Sequence, residues 1–175
     1  MAILEAEIQA TEIQPGMKIT EDELMRLPKD GRKWELVDGR LTEVPTSIKH
    51  EEIIFNLTFR LGPFVRGHGL VTFGQGSFRM TDGNIRAPEG FGNLAPDLCV
   101  EIVSPSEKKA DMARKVAEYF ERGAVQVWQA FPERQEVTVF TSPTKRQTMK
   151  GADILDAGGI LPGFSCRVSD LFEME

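Results

Sequence analysis

The chain of 175 residues is 41% hydrophobic and 27% charged with a formal net charge of −6, so it can bury a real core but is too acidic to coat nucleic acid broadly. No apolar stretch approaches the roughly 18 residues of a membrane span, and the acidic start, MAILEAEIQATEIQPG, lacks the basic region and apolar run of a signal peptide. The two cysteines, Cys99 and Cys166, lie far apart without metal-ligand spacing, and the expected setting is a reducing cytoplasm.

Residues 1–19 read as a lead-in, and one domain is expected over residues 20–175. Thr20-Glu21-Asp22-Glu23 is a capping box, opening a short helix that stops before Pro28. Trp34–Val37 and Arg40–Val44 alternate about Asp38-Gly39, a strong hairpin signal, with Trp34 and Leu36 on one side and Glu35 and Val37 on the other. A helix is predicted from Ser47 to Arg66, with Ile53, Ile54, Leu57, Leu61 and Phe64 on one stripe and Pro63 kinking or ending it. His50 falls in its first turn. Leu70 to Met80 reads as a strand interrupted by Gly74 and Gly76, and Asp82-Gly83 turns the chain into Asn84–Glu89, followed by loop.

The run Leu98-Cys99-Val100-Glu101-Ile102-Val103 reads as a strand with a carboxylate inside it. Cys99 and Val103 flank Glu101 on its own face, so the pattern is that of a central strand covered on both sides. A carboxylate there must be protonated, paired or bound to a metal. Ser106 then caps a predicted helix that runs to Arg122, with Gly123 as its stop and a core stripe of Met112, Val116, Tyr119 and Phe120. Lys115 falls about 40° from Tyr119, at the rim of that stripe. Strands follow at Val125–Phe131, Glu136–Thr141 and near Arg146–Lys150, and Ile160–Phe164 and Val168–Phe172 close the chain as apolar anchors. The fold class is mixed α/β, a central mixed sheet flanked by helices. The Leu98–Phe131 strand–helix–strand unit is expected to cross over right-handedly.

Asp97 and Glu101 offer hard oxygen donors, which suit Mg²⁺ or Mn²⁺ and not Zn²⁺. Such a cation lowers the pKa of bound water and stabilises charge on a phosphate, and a nearby lysine can orient the water or share that charge. A structural Glu101–Lys115 ion pair, with Asp97 merely starting the strand, accounts for the same spacing. Glu35 in a hairpin strand and His50 on an apolar helical face read by themselves as a solvent-facing acid and a packing histidine. Tyr119 and Trp128 read as core. Lys108, Lys109 and Arg114 read as a solvated helix face that can also touch phosphates.

Several of these segments, in this order, resemble the Uma2 family, a group of restriction-endonuclease-like proteins with a PD-(D/E)XK core. They are Trp34-Glu35-Leu36-Val37-Asp38-Gly39-Arg40-Leu41, His50, Ala95 to Ser106, Asp111 through Lys115 and Tyr119 to Gly123, and the closing Leu161-Pro162-Gly163-Phe164 and Asp170-Leu171-Phe172. The resemblance implies a restriction-endonuclease-like fold and a Mg²⁺-dependent (or Mn²⁺-dependent) nuclease acting on DNA. Glu101 matches the acidic member of the (D/E)XK element. Val103 stands where its lysine would be, and Lys115 matches the alternative lysine on the next helix. Glu35 and His50 match accessory polar positions of the same pocket.

One stretch departs from the family pattern. Pro88-Glu89 stands in place of a proline-aspartate, Gly90 follows at once, and Pro96-Asp97 comes only a few residues later. A segment absent from the sequence, takeover of the ligand role by Glu89 or Asp97, and loss of catalysis all fit this departure. The expected metal ligands are Glu101 with Glu89 or Asp97 as the second. The alternative function is a nuclease fold kept as a non-enzymatic binding or regulatory module. A homodimer is the expected assembly by base rate.

Overall fold

Thr20 and Glu23 form the capping box written in the sequence: the Glu23 carboxylate accepts the Thr20 N–H at 2.6 Å, and Thr20 Oγ1 accepts the Glu23 N–H at 3.3 Å. They open α1 (Glu21–Met25), whose Leu24 is buried. The structure, a computed structural model, describes residues 13–28, 30–44, 48–65, 77–79, 85–86, 91–92 and 95–173. By its contacts the chain forms two compact units, Met1–Pro45 with Gly74–Asn93, and Thr46–Phe73 with Leu94–Glu175.

The first unit is built on the hairpin of β1 (Lys33–Val37) and β2 (Arg40–Val44), paired in register from Lys33↔Val44 to Val37↔Arg40. Asp38 (φ 52°) and Gly39 (φ 67°) make the two-residue loop, both in the left-handed region that such a hairpin requires. Alternation then buries Trp34 and Leu36, which pack with Ile13, Leu24 and Leu41, and leaves Glu35 half-buried on the other face. The short β3 (Ser77–Arg79), β4 (Ile85–Arg86) and β5 (Phe91–Gly92) extend this sheet in the order β2-β1-β4-β3-β5. The rest of the two strands expected over 70–80 and 84–89, and residues 1–12, lie outside the described residues.

The second unit holds α2 (Ile48–Val65), β6 (Leu98–Ile102), α3 (Lys109–Glu121), β7 (Gln126–Phe131), β8 (Glu136–Phe140) and β9 (Arg146–Lys150). Strands β6 and β7 are parallel and joined through α3, whereas β7, β8 and β9 form an antiparallel meander, so the sheet is mixed, in the order β6-β7-β8-β9. One face carries Leu98, Val100, Ile102, Trp128, Ala130 and Val137 against Ile53, Leu57 and Leu61 of α2. The closing segment, with β10 (Ile154–Asp156) and β11 (Ser165–Arg167), adds Leu155, Phe164, Val168 and Leu171 to that core. Pro63 lies inside α2 in its last turn, so the helix outlasts it by two residues. Among the described residues no helix is long and apolar enough to cross a membrane.

One expectation changes, at the start of α3, while both faces of β6 are covered as its apolar run requires. Among the described residues β6 is an edge strand with β7 as its neighbour. Cys99 and Val103 are buried, while Leu98, Val100, Glu101 and Ile102 are half-buried. The apolar run reflects cover above and below, from α3 and from the α2 core, and this needs no strand on each side. Helix α3 starts at Lys109, three residues after Ser106, and its cap residue Lys108 makes no side-chain cap bond. Ser106 instead shares a hydroxyl hydrogen bond with Ser104 at 3.0 Å, within the bend before the helix.

Leu57 is 3% exposed at the centre of the α2 core. Leu57→Ala should lower the unfolding free energy by about 2–5 kcal/mol in urea titrations. A loss below about 1 kcal/mol would contradict the packing described.

Candidate active site

Strand β6 brings Glu101 up beneath α3, and the side chains of Tyr119 and Lys115 close on it. Tyr119, buried on α3, donates its hydroxyl to Glu101 Oε1 in a short hydrogen bond. One helical turn earlier, Lys115 Nζ lies 3.4 Å from Glu101 Oε2 and 2.9 Å from Glu107 Oε1. The i, i+4 spacing of Lys115 and Tyr119 puts both donors on one face of the helix, above the same carboxylate. Glu101, Glu107 and Lys115 keep 23%, 18% and 16% of their side-chain surface exposed, so the cluster sits at the boundary of core and solvent. There an ion pair is less screened than at an open surface, and truncating one partner leaves the other poorly matched.

Gln129 fixes the helix over the strand. It is the register partner of Glu101 on β7 and is buried, and its Nε2 donates to the Met112 carbonyl of α3 at 3.2 Å. This bond ties the first turn of α3 to the sheet three residues before Lys115.

Of the residues singled out from the sequence, Glu101 and Lys115 are in contact. Asp97 is exposed just before β6, and its carbonyl accepts the N–H groups of Val125 and Gln126 at 2.8 and 2.9 Å. Three strand steps, about 10 Å, separate even Leu98 from Glu101, so Asp97 is not placed beside it. Glu89 lies outside the described residues. Glu35 is half-buried on β1 of the first unit, and His50 is half-buried in the first turn of α2 in the second. Arg114, half-buried, pairs with Asp111 at 3.4 Å and reaches the buried Glu118 at 3.9 Å along the helix, so this part of α3 is not simply a solvated face.

Sequence reasoning overlooked Glu107 and treated Tyr119 as core alone. Tyr119 is indeed buried, at 6% exposure, and it is also the partner of Glu101. A buried phenol needs a hydrogen-bond partner, which was the available signal. Glu107 follows the strand in an irregular segment with no periodicity to place it.

The donors around Lys115 are carboxylates. Cys99, two residues from Glu101 on the same face, is no thiolate ligand: desolvation, then the charges of Glu101 and Asp97, push its thiol up to about 12. An oxygen-only donor set fits Mg²⁺ or Mn²⁺, which take one or two carboxylates and complete their shells with water and substrate phosphate. Among the described residues no three acidic, histidine or cysteine side chains converge as a metal group. Any second protein ligand next to Glu101 therefore comes from Glu107 or from outside the described residues.

A family model named Uma2 and described as "Putative restriction endonuclease" matches residues 21–169. A crystal structure of a putative nuclease belonging to DUF820, from Anabaena variabilis, superposes with a TM-score of 0.72 over 88% of this chain and 97% of that one. At 18% identity the likeness establishes the shared nuclease-like fold. No curated protein matches the chain.

The Cys99 thiol provides a test of burial at the site. Its folded pKa is raised, so the folded state holds that proton more tightly than the unfolded chain. This contribution is fully present below the unfolded thiol value of about 8.5 and is lost as pH rises toward the folded value. At pH 8 the native thiol should resist iodoacetamide while the urea-unfolded chain is alkylated. Equal rates in the two states would contradict the burial.

Proposed function

Because the chain belongs to the Uma2 family, we propose that it is a metal-dependent nuclease that hydrolyses phosphodiester bonds in DNA at the Glu101–Lys115 site. The observation that carries this reading is the contact of Lys115 with Glu101 at 3.4 Å, made across a strand-to-helix separation of fourteen residues. It assembles an acid and a cation where the family pattern expects the acidic and basic members of a (D/E)XK element.

Glu101 would hold Mg²⁺ or Mn²⁺, with Glu107 as the neighbouring carboxylate among the described residues. The cation, when bound, lowers the pKa of a water and stabilises charge on the scissile phosphate. Tyr119 holds one oxygen of Glu101 by its hydroxyl and so fixes the carboxylate's orientation. Lys115 presents an ammonium beside the place where a phosphate gains charge during in-line displacement, a preorganised electrostatic contribution. Glu107 holds that ammonium in position before substrate arrives. By the family pattern, His50, in the same unit as Glu101, is a proposed accessory polar position.

A metal-free binding module on the same fold is the second reading. It is favoured by the departure at Pro88-Glu89, where the family pattern has a proline-aspartate. It predicts DNA or protein binding without cleavage.

Plasmid nicking with Mg²⁺ or Mn²⁺ separates the two. The nuclease reading expects metal-dependent nicking, lowered about 10²-fold or more in Glu101→Gln and in Lys115→Met. It also expects melting temperatures that hold or rise, since groups retained for chemistry are rarely optimal for stability. Wild-type protein that never nicks, or variants that nick like wild type, would overturn it. A marked melting-temperature loss with unchanged nicking would make the pair purely structural.

A further inference from the structure

We propose that the outer strand β9 forms a nucleic-acid backbone surface serving the Glu101–Lys115 site, through Lys145, Arg146 and Lys150; the inference rests on the nuclease reading above. Cross-strand partners project from the same side of a sheet. Glu101 pairs with Gln129, Gln129 with Thr138, and Thr138 with Thr148, so one polar row runs from the site to the far edge. The Thr138 and Thr148 hydroxyls lie 3.0 Å apart, as side chains on one face must. Arg146 and Lys150 flank Thr148 at two residues on either side and therefore share the Glu101 face. On the opposite face Met149 packs against the apolar core.

Charge is reversed locally here. The chain has 27 acidic and 21 basic residues, yet residues 137–152 contain Lys145, Arg146 and Lys150 and no Asp or Glu. All three cations are exposed, and among the described residues their side chains make no ion pair. Glu136, the register partner of Lys150, is engaged by Arg134 at 3.4 Å. The exposed Thr144 and Thr148 add uncharged hydroxyls of the kind that contact phosphate oxygens. Three strand spacings of about 4.8 Å put the β9 surface about 14 Å from the Glu101 row. That is about the axial rise of four base pairs, so a strand held at the site can reach this surface with its phosphates.

Charged side chains on an edge strand can also serve only to block pairing with another sheet. That role requires charge somewhere on the strand, but not the placement of Arg146 and Lys150 together on the face that carries Glu101.

The test is fluorescence anisotropy of a labelled DNA duplex across a salt series, with wild type and Lys145→Ala/Arg146→Ala/Lys150→Ala, both checked for folding by circular dichroism. Each phosphate contact contributes about 0.9 to the slope of log K against log salt, so the variant should lose about 2–3 from the slope and at least about tenfold in affinity at low salt. If the triple variant misfolds, Lys145→Glu in the turn before the strand should still weaken binding and lower the slope by about 1. A folded variant with unchanged affinity and slope overturns the proposal. So does a variant that keeps its DNA affinity but self-associates, since its cations then guard the edge. Wild type that binds no duplex removes the nuclease reading and this surface together, whereas wild type that binds beside an unaffected variant removes the surface alone.

Discussion

The Glu101 carboxylate, half-buried on β6, must be matched by donors from above, and the second unit is arranged to supply them. The face of β6 opposite Glu101 carries Leu98, Val100 and Ile102 against the apolar core. Helix α3 delivers Tyr119 and Lys115 one turn apart onto the two carboxylate oxygens. This works only if the helix is correctly placed along its axis, because sliding it by one residue would rotate both donors away by about 100°. The parallel β6–α3–β7 crossover sets the helix over these strands, and the buried Gln129 amide holds its first turn at Met112. Packing, register and site chemistry therefore depend on one another here.

The same constraint divides the sheet into two unlike faces. Below, Trp128, Ala130 and Val137 pack against α2 with almost no exposed surface. Above, the polar row from Glu101 through Gln129 and Thr138 lies under or beside α3 and reaches solvent at Thr148. Polar groups buried on such a face must find partners, and Gln129 and Thr138 do so through a helix carbonyl and a neighbouring hydroxyl. The unit thus keeps its stability on one side and its chemistry on the other.

Much of this was legible in the sequence. The capping box at Thr20, the Asp38-Gly39 hairpin and strand β9 follow from local rules, in which a few neighbouring residues decide the outcome. Helical phase predicted the meeting of Lys115 with the Tyr119 stripe, and the apolar run around Glu101 marked it as unusual. Non-local features were not legible. Alternation in 98–103 reports cover on two faces but not the number of strand neighbours, of which β7 is seen among the described residues. The start of α3 was misplaced because Ser106 bonds locally to Ser104 instead of capping. Glu107 belongs to an irregular bend, where no period predicts a direction. The family pattern supplied the functional assignment of Glu101, because spacing alone serves a structural ion pair equally well.

Whether Glu101 is a metal-holding group or one half of a structural pair decides the function, and calorimetric titration of Mn²⁺ into the protein measures this most directly. The account predicts saturable binding to the wild type that is lost in Glu101→Gln while the fold, followed by circular dichroism, is retained. Absence of saturable binding to wild type, or an unchanged isotherm for Glu101→Gln, would contradict it.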